Sequence, residues 1–261
     1  MEQENLNIES SEVILKPSEP TVTLIQEAEI TKGAKQKHCV LIHGFNLSSS
    51  PGSKMMEKIK NAINSNIATR GWNVWTVDYD TNKPFIFGAF DVAKALYATG
   101  YDFSTTILIG YSMGGVVARQ MVANGFPCSA LLSMCSPHEG TMAWLQIPAF
   151  FTTQGGLSIG PNSQDLYKLN TNPADVKMRS RYYFFGIYFQ DVLGTHQDDM
   201  VVPINSALGT RLGNVAYRQQ ILARYEGWLG GAPPFDPHMA GLEPDMFPPL
   251  VQTCLNLFQR F

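Results

Sequence analysis

Long apolar runs are missing from this chain. The longest stretches, such as Tyr182 to Phe189, stop far short of the ~20 residues that span a bilayer, so no transmembrane segment is expected. Met1 to Ser10 carries Glu2, Glu4 and Glu9 without an apolar core, which argues against a secretory leader and for a cytoplasmic location, with non-classical export the alternative. Basic clusters are missing as well. Nineteen Lys and Arg stand against 22 Asp and Glu, for a net charge of −3, and this balance without a basic run excludes an ordinary nucleic-acid partner. Charged residues make up only 16% and apolar ones 44%, the composition of a globular core. The four cysteines show no C-x-x-C or metal-ligand spacing, and three lie inside apolar strand or helix patterns, where a thiol acts as a small hydrophobe. No metal ligand set is expected. No repeat, low-complexity tract or Pro/Gly linker divides the 261 residues. The expectation is a mobile tail over 1–20 followed by one domain over 21–261.

What is present is an alternation of strand and helix patterns. Val22 to Ile30 is rich in β-formers, and Cys39 to Ile42 is a continuous apolar run of the kind buried on both faces of a parallel sheet. A polar loop, Gly44 to Gly52, precedes a helical stripe from Met55 to Arg70 with apolar residues at 55, 56, 59, 63 and 67, closed by Gly71. Strand patterns recur at Trp72 to Val77, Thr106 to Ile109, Ala130 to Met134, Tyr182 to Phe189 and Gln220 to Tyr225. Helical ones recur at Phe87 to Thr99, Gly115 to Ala123 and Met246 to Phe261. This order forecasts the α/β class: a mostly parallel central sheet with helices on both faces.

Chemistry enters at Gly110-Tyr111-Ser112-Met113-Gly114, set between the strand ending at Ile109 and the helix that follows. A serine at a sharp strand-to-helix turn is held in a strained conformation with its hydroxyl out. Glycines flank it because a Cβ there would meet the adjoining strand and helix. Ser112 is read as a nucleophile, at a helix end whose N–H groups favour negative charge. A serine hydroxyl needs a base, and the base needs an acid to orient it. Of the five histidines, His38 reads as a surface or edge residue, His43 as shaping the loop at Gly44, and His138 as structural. His238, in the loop before the final helix, is the expected base, with His196 the competitor. The acid is expected in Asp198-Asp199-Met200-Val201-Val202-Pro203, where an apolar setting demands a hydrogen-bonded carboxylate. Asp199 is favoured over Asp198, then Asp191. Backbone N–H groups of Met113 and Phe45 are expected to receive the oxyanion, with Gly44 allowing close approach.

Together Val40-Leu41-Ile42-His43-Gly44-Phe45, Gly110 to Gly115, Ser136-Pro137-His138-Glu139-Gly140-Thr141 and Asp199 to Pro203 resemble the α/β-hydrolase superfamily, specifically its lipase-like members. The Pro-His-x-Gly-Thr stretch and Gln164-Asp165-Leu166 to Leu169-Asn170 are similar to triacylglycerol lipases and the inositol-deacylase-like group. The chain order Ser112, Asp199, His238 is the order that family uses. The resemblance implies ester hydrolysis through an acyl-enzyme with no cofactor. A lid-like insertion over 142–180 carries Trp144, Phe150 and Phe151, expected to touch a small-molecule or lipid ester, and Gly155-Gly156, expected as its hinge. The alternatives are a silent scaffold binding an apolar ligand or partner, or a thioesterase, phospholipase or transacylase using the same residues.

Overall fold

The structure, a computed structural model, describes residues 19–28, 35–46, 50–64, 71–142, 152–191, 194–224, 238 and 248–261. Strands β1 (Thr21–Gln26), β2 (His38–Ile42), β3 (Asn73–Asp78), β4 (Thr106–Tyr111), β5 (Ala130–Met134), β6 (Tyr182–Asp191), β7 (Gly194–His196) and β8 (Tyr217–Arg224) form one sheet. Its order is β1-β3-β2-β4-β5-β6, with β7 and β8 both paired to β6. β1 and β7 run antiparallel to their neighbours and every other pairing is parallel. Helices α1 (Glu57–Asn64), α2 (Phe85–Ala98), α3 (Met113–Ala123), α4 (Gln154–Ser158), α5 (Gln164–Thr171), α6 (Pro173–Met178), α7 (Ile204–Ala207) and α8 (Pro248–Arg260) fall between or after the strands.

Strands β2, β4 and β5 are buried at every position because both sheet faces are covered, and their alternate apolar residues feed different cores. Val40, Ile42, Val77, Leu108 and Leu131 pack on one face against Val92 and Leu96 of α2 and Val116, Val117 and Met121 of α3. Cys39, Leu41, Val74, Ile107, Ile109 and Leu132 face the other way, onto Ile59 and Ile63 of α1 and Leu250, Cys254 and Phe258 of α8. Each such aliphatic or aromatic burial contributes about 1.5–3 kcal/mol. The Trp72 indole N–H donates to the Phe258 carbonyl at 3.2 Å and ties α8 to the start of β3.

Several boundaries differ from the sequence expectation. The helical stripe from Met55 opens as a 3-10 turn, Gly52–Met56, before α1, and its last residues, 65–70, lie outside the described residues. β8 begins at Tyr217, ahead of Gln220. Gln190 to Gln197 is not simply a long loop: β6 continues to Asp191 and β7 folds back on it, pairing Phe189 with His196. His38 is a correction. It is fully buried, its ring 4.4 Å from that of Phe103, and its Nδ1 accepts the Trp75 indole N–H at 3.0 Å. β2 lies between β3 and β4, so its first residue has no edge to reach.

Candidate active site

The site begins where β4 ends. Ser112 has φ 52 and ψ −127, a backbone conformation a non-glycine residue adopts only when its surroundings impose it. Those surroundings are close contacts. A Cβ on Gly114 would fall 2.2 Å from the Ile42 carbonyl oxygen, and one on Gly110 would lie 2.5 Å from the Gly114 oxygen and the Gly115 nitrogen. The Ser112 N–H donates to the Met134 carbonyl at 2.8 Å, which pins the turn to β5. The turn is thus held by the end of β2, the start of α3 and the end of β5.

Around it the structure gathers groups from distant parts of the chain. His238 Nε2 lies 2.9 Å from Ser112 Oγ, and its Nδ1 lies 2.7 Å from Asp199 Oδ2. Asp199 is fully buried, and its other oxygen, Oδ1, accepts the Val201 and Val202 N–H groups at 3.0 and 2.6 Å. A carboxylate so held is an acceptor, so Nδ1–H donates to it and leaves Nε2 to accept the serine proton. The Tyr111 hydroxyl donates to the His238 carbonyl at 3.1 Å and braces the imidazole from β4. The loop after β2 passes beside the serine: a Cβ on Gly44 would sit 2.8 Å from Ser112 Cβ. Phe45 follows in that loop. Met113 is the first residue of α3, where helix geometry leaves the N–H without an intrahelical carbonyl.

The remaining expected residues fall elsewhere. Half-buried Asp198 accepts the Met200 N–H at 2.8 Å and takes part in a bridge to Pro203. His196 lies on β7 with its ring stacked 4.2 Å from that of Phe189. Trp144, Phe150 and Phe151 lie outside the described residues, as does the side chain of Asp191. His43 stacks on Tyr79 at 4.5 Å, and its Nδ1 hydrogen-bonds the Gly44 carbonyl at 2.6 Å, so it does shape the loop beside Ser112. Gly155 and Gly156, read as a hinge, are buried in the first turn of α4. A Cβ on Gly155 would come 1.8 Å from the Thr81 oxygen, and the Gly155 N–H donates to the Asn82 carbonyl, so close packing accounts for that glycine.

Two supports were missed in the sequence. The Thr141 hydroxyl donates to the Val201 carbonyl at 2.5 Å, and the Ser206 hydroxyl to the Gly140 carbonyl at 2.6 Å. The Ser136 to Thr141 stretch therefore holds the loop that carries Asp199. Beneath α3 lies a buried ionic cluster. Arg119 Nη2 and Arg179 Nε reach Asp175 Oδ2 at 2.7 and 2.9 Å, and the Tyr182 hydroxyl donates to Asp175 Oδ1 at 3.1 Å. The available signal was an arginine inside the run Val116 to Val122, whose other residues are apolar except Gln120. His138 borders this cluster, stacked 3.9 Å from Phe184. Burial first, then the charges of Arg119, Arg179 and Arg218, holds it well below the ordinary histidine range.

No protein-family model and no curated protein matches the sequence. Solved structures do match. The mature form of a Bacillus licheniformis lipase superposes with a TM-score of 0.60 at 15% identity, covering 92% of this chain and 99% of its own. A structure from a study of carboxylesterases of Nitrososphaera gargenis gives 0.55 at 14% identity, covering 94% and 98%. An N-acyl homoserine lactonase variant complexed with N-hexanoyl homoserine lactone gives 0.52 at 11%, covering 93% and 95%. Identities this low speak for architecture alone, and that architecture is the α/β-hydrolase fold.

Proposed function

We propose that this chain is a serine hydrolase of carboxylic esters, with Ser112 as nucleophile, His238 as general base and acid, and Asp199 as the group that orients it. The observation that carries the reading is the unbroken relay from Asp199 Oδ2 through the imidazole to Ser112 Oγ, with steps of 2.7 and 2.9 Å, ending on a serine of strained backbone. In this reading Nε2 takes the Ser112 proton as the oxygen attacks the ester carbonyl carbon. The tetrahedral oxyanion is received by the backbone N–H groups of Met113 and Phe45. The imidazolium then protonates the departing alcohol, leaving an acyl-serine. Water, deprotonated by the same nitrogen, releases the carboxylic acid and restores the serine. Resemblance in architecture to a lipase, a carboxylesterase and a lactonase is consistent with acyl transfer to water. Trp144, Phe150 and Phe151 in the sequence favour an uncharged ester with an apolar acyl chain.

A fluorophosphonate probe tests the reading. Covalent capture at Ser112, abolished in Ser112→Ala, is expected together with turnover of nitrophenyl esters across an acetyl-to-palmitoyl series. A folded protein that neither labels nor hydrolyses any member of that series would be a silent scaffold, and the reading would fall.

A further inference from the structure

Cys135 takes no part in the relay, yet it stands beside it. The residue follows β5 directly, with φ 50, and its N–H donates to the Phe185 carbonyl at 2.8 Å. A non-glycine residue in that conformation marks a backbone held by its surroundings. Its sulfur, an Asp199 carboxylate oxygen and a His238 ring nitrogen all lie within 4.8 Å of one another, and all three residues are buried. Among the described residues this is the one group of three such donors. All four thiols are buried in the apolar cores, and burial pushes Cys128 and Cys254 up to about 12 and Cys39 well up; Cys135 is the one placed beside a carboxylate and an imidazole.

We infer that Cys135, Asp199 and His238 form an inhibitory site for a zinc-like dication, a regulation that rests on the proposed hydrolase reading. Thiolate, carboxylate and imidazole are a donor set that zinc accepts. Tetrahedral bond lengths would separate the donors by about 3.3–3.6 Å, which asks for a shift of about an ångström here. Charge favours the site: one thiolate and one carboxylate neutralise a dication, so the loaded cluster is neutral where burial penalises net charge. The ring nitrogen facing the carboxylate is Nδ1, at 2.7 Å. Metal at that position expels the Cys135 thiol proton to solvent and displaces the proton from Nδ1, which the neutral imidazole then carries on Nε2. The ring then donates toward Ser112 and can no longer accept its proton. The fourth position of the metal stays open to water, and binding is reversible by a chelator.

Cobalt(II) reports the site without any need for turnover. Metal-stripped wild type and Ser112→Ala should both develop a thiolate-to-cobalt charge-transfer band, displaced by Zn2+ and absent in folded Cys135→Ser. Zn2+ should suppress ester hydrolysis by wild type, EDTA should restore it, and Cys135→Ser should need at least about tenfold more metal. His238→Ala, with all four thiols kept, should weaken the cobalt band and keeps the test open if Cys135→Ser does not fold. No band in folded wild type, a band unchanged in Cys135→Ser, or one unchanged in His238→Ala would each overturn the assignment. A band without hydrolysis of any ester would instead overturn the proposed function and leave the metal site standing.

Discussion

Ser112 illustrates how a single side chain depends on its backbone. Its φ of 52 is tolerated because Gly110 and Gly114 let strand, turn and helix close to contact distance. Ser112→Ala keeps that turn intact, so its melting temperature should match wild type while ester turnover falls by ~10³–10⁶-fold in a nitrophenyl ester assay. Asp199→Asn retains an oxygen for the Val201 and Val202 N–H groups but loses the acceptor that orients His238 Nδ1–H. A kcat lower by about 10⁴-fold is expected, and Asp198→Asn should leave kcat within a few-fold. Equal effects of the two substitutions would move the acid role away from Asp199.

Elements set where those side chains stand. Helix α3 starts at the Ser112 turn, and along its length Arg119 binds Asp175 of α6 and, through Nη2 at 3.0 Å, the Asn170 side chain of α5. Arg179, following α6, shares the same carboxylate. Two buried guanidiniums around one carboxylate make Asp175 the keystone of that contact. Asp175→Ala should cost about 3–5 kcal/mol in urea denaturation, because it strands buried positive charge rather than deleting one hydrogen bond. Gly114→Ala should act on the site directly. Its Cβ would press on the Ile42 and His43 carbonyls at 2.2 and 2.5 Å, pushing the start of α3 off β2. Turnover should fall together with stability, unlike in Ser112→Ala.

Over the whole molecule, acid sensitivity follows from buried histidines. Burial is the largest cause holding His38, His43 and His138 below the ordinary histidine value, and Nε2 of His38 and of His138 has no hydrogen-bond partner among the described residues. Between those lowered values and about 6.5 the unfolded chain binds protons that the folded chain refuses, so stability falls as pH drops below about 6.5, by up to about 1.4 kcal/mol per unit per histidine. Thermal melting at pH 7.5 and pH 5 should show the loss, and His138→Phe should flatten it. The structural patterns read from the chain were local ones, and His238 and Asp199 were expected only from the places of their loops after strand patterns and from an apolar setting. Val40 to Ile42 reads as a doubly covered strand because its own residues are apolar without interruption, and Gly110 to Gly114 reads as a tight turn because only glycine tolerates such contacts. His38 escaped that logic, since its place between two strands depends on sheet order. Strand–helix periodicity and the turn around Ser112 were therefore determined by neighbouring residues along the chain, whose spacing sets backbone conformation. Tertiary packing alone decided that His238, 126 residues away, meets the serine, that Asp199 rather than Asp198 meets the histidine, and that Cys135 stands within ligand reach of both. Contacts across such separations depend on how layers of side chains close on one another, which no spacing in the sequence encodes.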